Sequence, residues 1–324
     1  MIVGEPLALF RKSGGSVVVF EDRCPHRHAP LSLGRVENDE LRCMYHGLRF
    51  SSLGVCVHIP GSNVMPPNTS VRTYPVMEKS SWIWVWMGRP ELADASMIPE
   101  IPDIGASRWA TRSGTIDYAA DYQLVHDNLC DLSHVDYSHE TTLGAGAGKQ
   151  WSANAPPITR IKDGLLVERW ITGIVIPDSP AAIDSWLSYR FVLPGLFLMR
   201  SKDFPAGTAA ANAFAEPQGP ALLERFDQQA VTPVATGQTR YLFASAVEAR
   251  CATPESLEAD FAVTSAAFEE DRRMIEGQQR IWNVTSAEQP KAFIPADKAP
   301  AMFRRIISNR LADENRDAGV PQSD

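Results

Sequence analysis

No stretch of this sequence is apolar for long enough to cross a membrane. The longest uncharged apolar run, Phe191 to Met199, is interrupted by Pro194, and a spanning helix needs roughly 20 such residues. The first residues, Met1-Ile2-Val3-Gly4-Glu5-Pro6, lack the basic stretch and apolar core of a signal peptide. A cytoplasmic protein without membrane attachment is therefore expected. Basic residues are in the minority, 31 Lys and Arg against 39 Asp and Glu, for a net charge of −8. A nucleic-acid binder needs a basic face, so no nucleic-acid partner is expected. Cysteine is scarce and odd in number: Cys24, Cys43, Cys56, Cys130 and Cys251. So few, so widely spread, argue against a disulfide framework. No Gly-x-Gly-x-x-Gly fingerprint occurs, so the chain carries no dinucleotide-binding domain of that kind. Histidine is absent after His139, and all seven histidines lie before residue 140. Some device in the first half uses imidazole.

What remains is an ordinary globular composition, 324 residues with 44% hydrophobic and 22% charged. That length allows two domains. Residues 7 to 90 read as all-β. Val17 to Phe20 follows the turn Ser13-Gly14-Gly15. Ser81-Trp82-Ile83-Trp84-Val85-Trp86 places three tryptophans on one face by period-two alternation. From Gly88 to Pro102 the chain is proline-rich and aperiodic, as a connector is. Beyond it, strand-like runs include Leu165 to Ile176, Ser185 to Val192, Leu196 to Arg200 and Tyr241 to Val247. A long helix is expected from Pro254 to Val284, and another from Pro300 to about Asp313. Gly144 to Gly148 reads as a flexible loop, an active-site lid being the alternative.

Two constellations carry chemistry. The first is Cys24-Pro25-His26, followed by Cys43-Met44-Tyr45-His46-Gly47. Two thiolates and two imidazoles on two loops suit a structural zinc, or a two-iron two-sulfide cluster with cysteines on one iron and histidines on the other. Zinc fingers usually open with two cysteines on one turn. Here each loop supplies one Cys and one His, the arrangement a Rieske cluster needs. Cys56 and His58, on an expected strand, read as packing residues.

The second constellation is Asn128-Leu129-Cys130-Asp131-Leu132-Ser133-His134, then His139. On a continuous helix, residues five apart point about 140° away from each other. Joint ligation by His134 and His139 requires a helix end or a distortion between them. In the long helix, Phe261, Phe268, Ile275 and Trp282 recur every seven residues and mark a buried stripe. Asp271 lies about 40° from Ile275 around the axis and faces inward, where a carboxylate is costly unless paired or metal-bound. Glu269 and Glu270 lie more than about 100° from the stripe centre, and solvent exposure is expected for both.

The runs Cys24-Pro25-His26-Arg27, Ala29-Pro30-Leu31-Ser32-Leu33-Gly34, Tyr45-His46-Gly47 and Gly54-Val55-Cys56-Val57-His58-Ile59-Pro60 resemble Rieske domains of bacterial ring-hydroxylating and demethylating oxygenases. The pattern N-x-x-D-x-x-H-x4-H resembles the mononuclear iron motif of the same proteins, and Phe268-Glu269-Glu270-Asp271 their third-ligand segment. The resemblance implies an α+β fold. An all-β Rieske [2Fe-2S] domain would span 1–92, a connector 93–107, and a catalytic domain 108–324 with an antiparallel sheet flanked by helices. It also implies a further strand-bearing segment ahead of the position of Met1.

By that resemblance Cys24, His26, Cys43 and His46 hold the cluster. His134, His139 and Asp271 bind Fe(II). Asn128 and Asp131 are catalytic, with Asp131 as the carboxylate joining an iron histidine to a cluster histidine of the neighbouring subunit in a homotrimer. O2 and electrons from a separate NAD(P)H-dependent reductase of flavin or ferredoxin type would oxidise a small aromatic substrate. Chain length favours the short vanillate, dicamba and toluenesulfonate type of oxygenase. O-demethylation or monohydroxylation of an aromatic acid is thus expected ahead of ring dihydroxylation. Arg190, Arg200 and Arg240 are candidates to hold the acid, each as readily a structural ion pair. Two rivals remain, a non-catalytic Rieske electron carrier and a structural zinc module.

Overall fold

The computed structural model describes residues 1–153, 155–175, 181–286, 289 and 291–317. The chain forms two compact units, Met1–Asp103 with Val234–Thr236, and Ile104–Pro233 with Gly237–Asp324.

The first unit is built from short antiparallel strands. β1 (Leu7–Arg11) pairs with β2 (Val17–Glu21). The run Val17-Val18-Val19-Phe20 suits a pleated surface, and its last three residues are buried. β3 (Arg35–Glu37), β4 (Glu40–Arg42), β5 (Arg49–Phe50) and β6 (Cys56–His58) form a four-stranded meander. β7 (Val76–Lys79) and β8 (Trp82–Val85) form a second hairpin. Two of the connections are two-residue turns with both φ positive, Asn38-Asp39 and Ser80-Ser81. That twist matches the twist of the flanking strands, so such turns close hairpins well. Trp82, Trp84 and Trp86 share one half-buried face while Ile83 is exposed, as the alternation predicts. Phe20, Phe50, Leu31, Leu41, Leu48 and Val71 enclose Cys24 and Cys43 in the core.

The second unit is a seven-stranded sheet covered by helices. Its strands are β9 (Trp109–Tyr118), β10 (Ile158–Ile161), β11 (Gly164–Ile174), β12 (Ile183–Val192), β13 (Leu196–Pro205), β14 (Leu223–Ala235) and β15 (Gln238–Glu248). The order is β10-β11-β12-β13-β14-β15-β9. Neighbours run antiparallel, and β14 turns into β15 through two residues. Of the expected strand from Leu165 to Ile176, Ile176 lies outside the described residues. The helices are α1 (Tyr122–Cys130), α2 (Val135–Ser138), α3 (Gln150–Ala153), α4 (Thr208–Ala211), α5 (Pro254–Trp282) and α6 (Lys298–Asp317).

α5 begins at Pro254 because Thr253 and Ser256 form a reciprocal capping box ahead of it. Its stripe packs onto the sheet: Phe268 stands edge-on to Tyr241 and Phe243, with ring centroids 5.2 and 4.8 Å away. Phe303 of α6 meets Phe191 of β12 at 4.1 Å. Truncating either phenylalanine to alanine would cost about 3–5 kcal/mol. Polar side chains then fix α5 against the start of α1. Glu276 accepts from the Ala119 amide at 3.0 Å, and Gln279 from the Asp121 amide at 2.8 Å. Asp121 in turn caps α1 by accepting from the Gln123 amide at 2.9 Å. This lock sets which residues of the two helices face each other.

Candidate metal centres

In the first unit the two loops reverse direction around their cysteines. The Cys24 amide donates to the Ala29 carbonyl at 2.9 Å, and the Cys43 amide to the Leu48 carbonyl at 2.8 Å. Gly47 closes its loop at φ +76°, donating to the Cys43 carbonyl at 3.0 Å, and a Cβ there would sit 2.9 Å from Pro60 Cγ. Cys24 and Cys43 are each 1% exposed, whereas His26 and His46 are exposed with ring centroids 4.5 Å apart. The donor set therefore has a sulfur side facing the core and an imidazole side facing out.

Burial pushes the Cys24 thiol up to about 11, with Cys43 beside it, while the His26 and Arg27 amides point at its sulfur and oppose the rise. Partial desolvation, then the charges of His26 and Arg27, hold His46 below its ordinary value. Two thiols on one side and two imidazoles on the other suit a [2Fe-2S] cluster with one iron per ligand type. Cys56 packs in the core from β6, and its thiol donates weakly to the His58 carbonyl at 3.5 Å.

In the second unit the chain breaks where joint ligation requires it to break. α1 stops at Cys130, and Asp131 caps both its end and a 3-10 turn from Leu132 to His134. α2 then runs for four residues between His134 and His139. The interruption turns both imidazoles toward one point on α5. Donor atoms of His134, His139 and Asp271 all lie within 4.8 Å of one another. Asp271 Oδ1 is 3.2 Å from His139 Nε2 and 3.5 Å from His134 Nε2. His139 is 1% exposed and Asp271 5%. Burial alone pushes His139 down, but Asp271 and then Glu270 outweigh it and raise it above its ordinary value. Two imidazoles and one carboxylate converging at a buried point suit a single Fe(II). Asn128 joins this group, its amide donating to Asp271 Oδ1 at 2.9 Å with His134 Nε2 at 3.4 Å.

Two expectations from sequence need correction, those for Glu270 and for Gly144 to Gly148, and the contacts of Asp131 within the chain are distinctive. The Asp131 contact to His134 is made by the carbonyl oxygen, which takes the imidazole Nδ1–H, while the carboxylate accepts from the Ser133 amide at 2.8 Å. Carboxylates favour such caps, so the side chain is drawn to the turn. Glu270 is only partly solvated: its Oε2 accepts from His139 Nδ1 and from Thr142 Oγ1, each at 2.8 Å. The helical wheel places Glu270 away from the sheet, and His139 meets it there from a different element.

Gly144 and Gly146 are held close against backbone carbonyls rather than free in a loose loop, while Gly148 is exposed with open space around it. Gly144 donates to the His139 carbonyl at 2.9 Å, and a Cβ at Gly146 would lie 2.2 Å from the Val175 carbonyl oxygen. Glycine serves close backbone approach here.

The arginine candidates are engaged within the fold. Arg200 pairs with Glu224 at 2.5 Å, and Arg240 grips Asp117 through two bonds of 2.8 and 2.9 Å. Arg190 sits on β12 opposite Leu198. His126 is a core residue rather than a ligand. It is boxed by Tyr122, Phe191 and Phe303, neither ring nitrogen has a hydrogen-bond partner among the described residues, and burial holds it down at about 3.

Comparison with known proteins agrees with both centres. Residues 1–75 match the Rieske [2Fe-2S] domain, and residues 118–313 the vanillate O-demethylase oxygenase C-terminal domain. A putative toluene-4-sulfonate monooxygenase system iron-sulfur subunit of Comamonas testosteroni is 35% identical, over 97% of this chain and 91% of the relative. A vanillate O-demethylase oxygenase subunit of a Pseudomonas species is 31% identical, over 97% and 96%. Dicamba monooxygenase bound to 3,6-dichlorosalicylic acid superposes with a TM-score of 0.85 at 27% identity, covering 97% of this chain and 92% of that one. A further dicamba monooxygenase structure, with non-haem iron and dicamba, superposes at 0.79 and 26% identity over the same shares.

The α+β reading thus holds, as do the two cofactors, a [2Fe-2S] cluster and a mononuclear iron. Among the described residues no helix is long and apolar enough to cross a membrane. An electron carrier would need only the first centre, and a zinc module neither the second nor the domain that carries it. With both domains matched in order and full-length relatives at this identity, the chain belongs to the Rieske non-haem iron oxygenases, in the branch defined by the vanillate O-demethylase C-terminal domain.

Proposed function

We propose that this oxygenase component O-demethylates or monohydroxylates a small aromatic acid, using O2 and electrons from a separate NAD(P)H-dependent reductase of flavin or ferredoxin type. The observation that carries the reading is the convergence of His134, His139 and Asp271 in a chain that also has a Rieske domain. When bound, the cluster supplies electrons singly and the iron activates O2. Cys24 and Cys43 would hold the cluster from the core side, and His26 and His46 from the exposed side. His134, His139 and Asp271 would hold Fe(II). Asn128 would keep Asp271 aligned. Asp131, at the joint before His134, would pass protons and electrons toward a cluster histidine of a neighbouring subunit in a homotrimer. The domain limits proposed are 1–92, 93–107 and 108–324, and the compartment proposed is the cytoplasm.

Single-turnover formaldehyde release tests this reading. The protein is reduced chemically without air, mixed with a panel of methoxybenzoates, and given O2. Formaldehyde with a matching phenol from one panel member supports O-demethylation. A second reading, hydroxylation of an aryl methyl group, is favoured by the 35% identity to the toluene-4-sulfonate monooxygenase subunit. Toluene-4-sulfonate in the same panel would then give a benzylic alcohol and no formaldehyde. No oxidation of any panel member, with the reduced cluster persisting after O2, would contradict both.

A further inference from the structure

Adjacent residues of α5 bracket a single imidazole. Glu270 accepts from Nδ1 of His139 at 2.8 Å, and Asp271 faces Nε2 of the same ring at 3.2 Å. The second histidine is held differently, since His134 Nδ1 meets the neutral carbonyl of Asp131. Thr142, three residues beyond His139, donates its hydroxyl to the same Glu270 oxygen at 2.8 Å. The carboxylate thus ties together the ring, the turn that follows the ring, and α5. An anionic acceptor on Nδ1 fixes the tautomer with Nε2 bare, orients the ring, and makes Nε2 a stronger donor.

We propose that Glu270 is a positioning residue for the mononuclear iron. It locks His139 with Nδ1 protonated and Nε2 turned toward Asp271, and so raises the site's hold on Fe(II). The inference rests on the iron reading of His134, His139 and Asp271. It adds an asymmetry to it: one imidazole is backed by a full negative charge and the other by a peptide carbonyl. Glu270 also borders an open groove with Met274, Gly277 and Ile281. Its side chain is 28% exposed, so shortening it leaves solvent rather than a void in the core.

The test uses Glu270→Ala and Glu270→Gln in the full chain with its cluster in place, each checked by far-UV circular dichroism against the parent. Fe(II) affinity is read by chelator competition. The tautomer of His139 is read from imidazole 15N resonances of protein without mononuclear iron, in alkaline buffer where the ring is neutral. Glu270→Ala should weaken Fe(II) binding by roughly 10–100-fold and give a mixed tautomer signal. Glu270→Gln keeps an acceptor oxygen without the charge, so its loss should be smaller. Unchanged resonances and unchanged affinity in Glu270→Ala overturn the proposal. Equal losses in both variants, with the tautomer intact, overturn it in favour of a bulk structural role. Failure of the parent to bind Fe(II) would instead sink the iron reading, with the 15N resonances still judging the hold on His139.

Discussion

The side-chain amide of Asn128 and Oδ1 of Asp271 share a 2.9 Å hydrogen bond across 143 positions of sequence. The bond ties α1 to α5 at the point where the two imidazoles converge, and the same nitrogen lies 3.4 Å from His134 Nε2. Asn128→Ala removes this tether while leaving the three donors in place. Single-turnover product should fall about 10–100-fold with the visible spectrum of the cluster unchanged. Full product yield in the variant would count against an aligning role for Asn128.

His134→Ala separates the two centres. It removes one of the three donors His134, His139 and Asp271, all in the second unit, whereas Cys24, His26, Cys43 and His46 belong to the first. Purified parent should contain three irons per two sulfides, and the variant two per two with an intact cluster spectrum. Metal analysis beside acid-labile sulfide measures both. A variant still holding the third iron would remove His134 from the ligand set.

Gly144 is a stability probe for the turn that follows His139. A Cβ there would lie 2.5 Å from the Val135 carbonyl oxygen and 3.0 Å from that of His139, both backbone atoms with no freedom to yield. Gly144→Ala should cost about 1–3 kcal/mol, lower the unfolding midpoint by several degrees, and loosen iron retention. An unchanged midpoint would show that the backbone here gives way easily.

His126 makes stability depend on pH. Its folded value of about 3 lies far below the ordinary 6.5 because burial disfavours the cation. Between those values the unfolded state binds a proton that the folded state refuses, so stability falls as pH drops through that window. The contribution is fully present above about 6.5. It declines by about 1.4 kcal/mol per pH unit below that. Denaturant titrations from about pH 7 to pH 5 should show a shallower decline in His126→Leu than in the parent. Parallel declines would mean that the ring is hydrated in solution.

Local signals were legible in the sequence, and cross-element ones were not. The two Cys–His loops sit within short stretches, so their spacing carries the donor set. The 140° argument requires a break between His134 and His139, and α1, the 3-10 turn and α2 supply it. The heptad stripe turned Asp271 inward correctly because the sheet covers that face of α5. Glu270 escaped because the wheel sees one wall, while its partner arrives from the end of α2. β14 escaped because it buries Glu224, Gln228 and Gln229, which hides its alternation. β9, at the edge of the sheet, has a single buried residue, Tyr118, and so little burial pattern to read. Gly144 and Gly146 show that a glycine-rich run looks the same in sequence whether it is loose or packed against carbonyls.

The distribution of donors along the chain sets an order of assembly. Cys24, His26, Cys43 and His46 leave the ribosome close together, within the segment that builds the first unit. His134 and His139 emerge well before Asp271 and Glu270. At ~5–20 residues per second, that interval lasts on the order of ten seconds. During it the nascent chain carries His134 and His139 but not the carboxylate of Asp271 that meets them in the folded protein. The three-donor arrangement therefore exists only once α5 has been made and docked, which makes the second centre the last part of the chain's chemistry to be assembled.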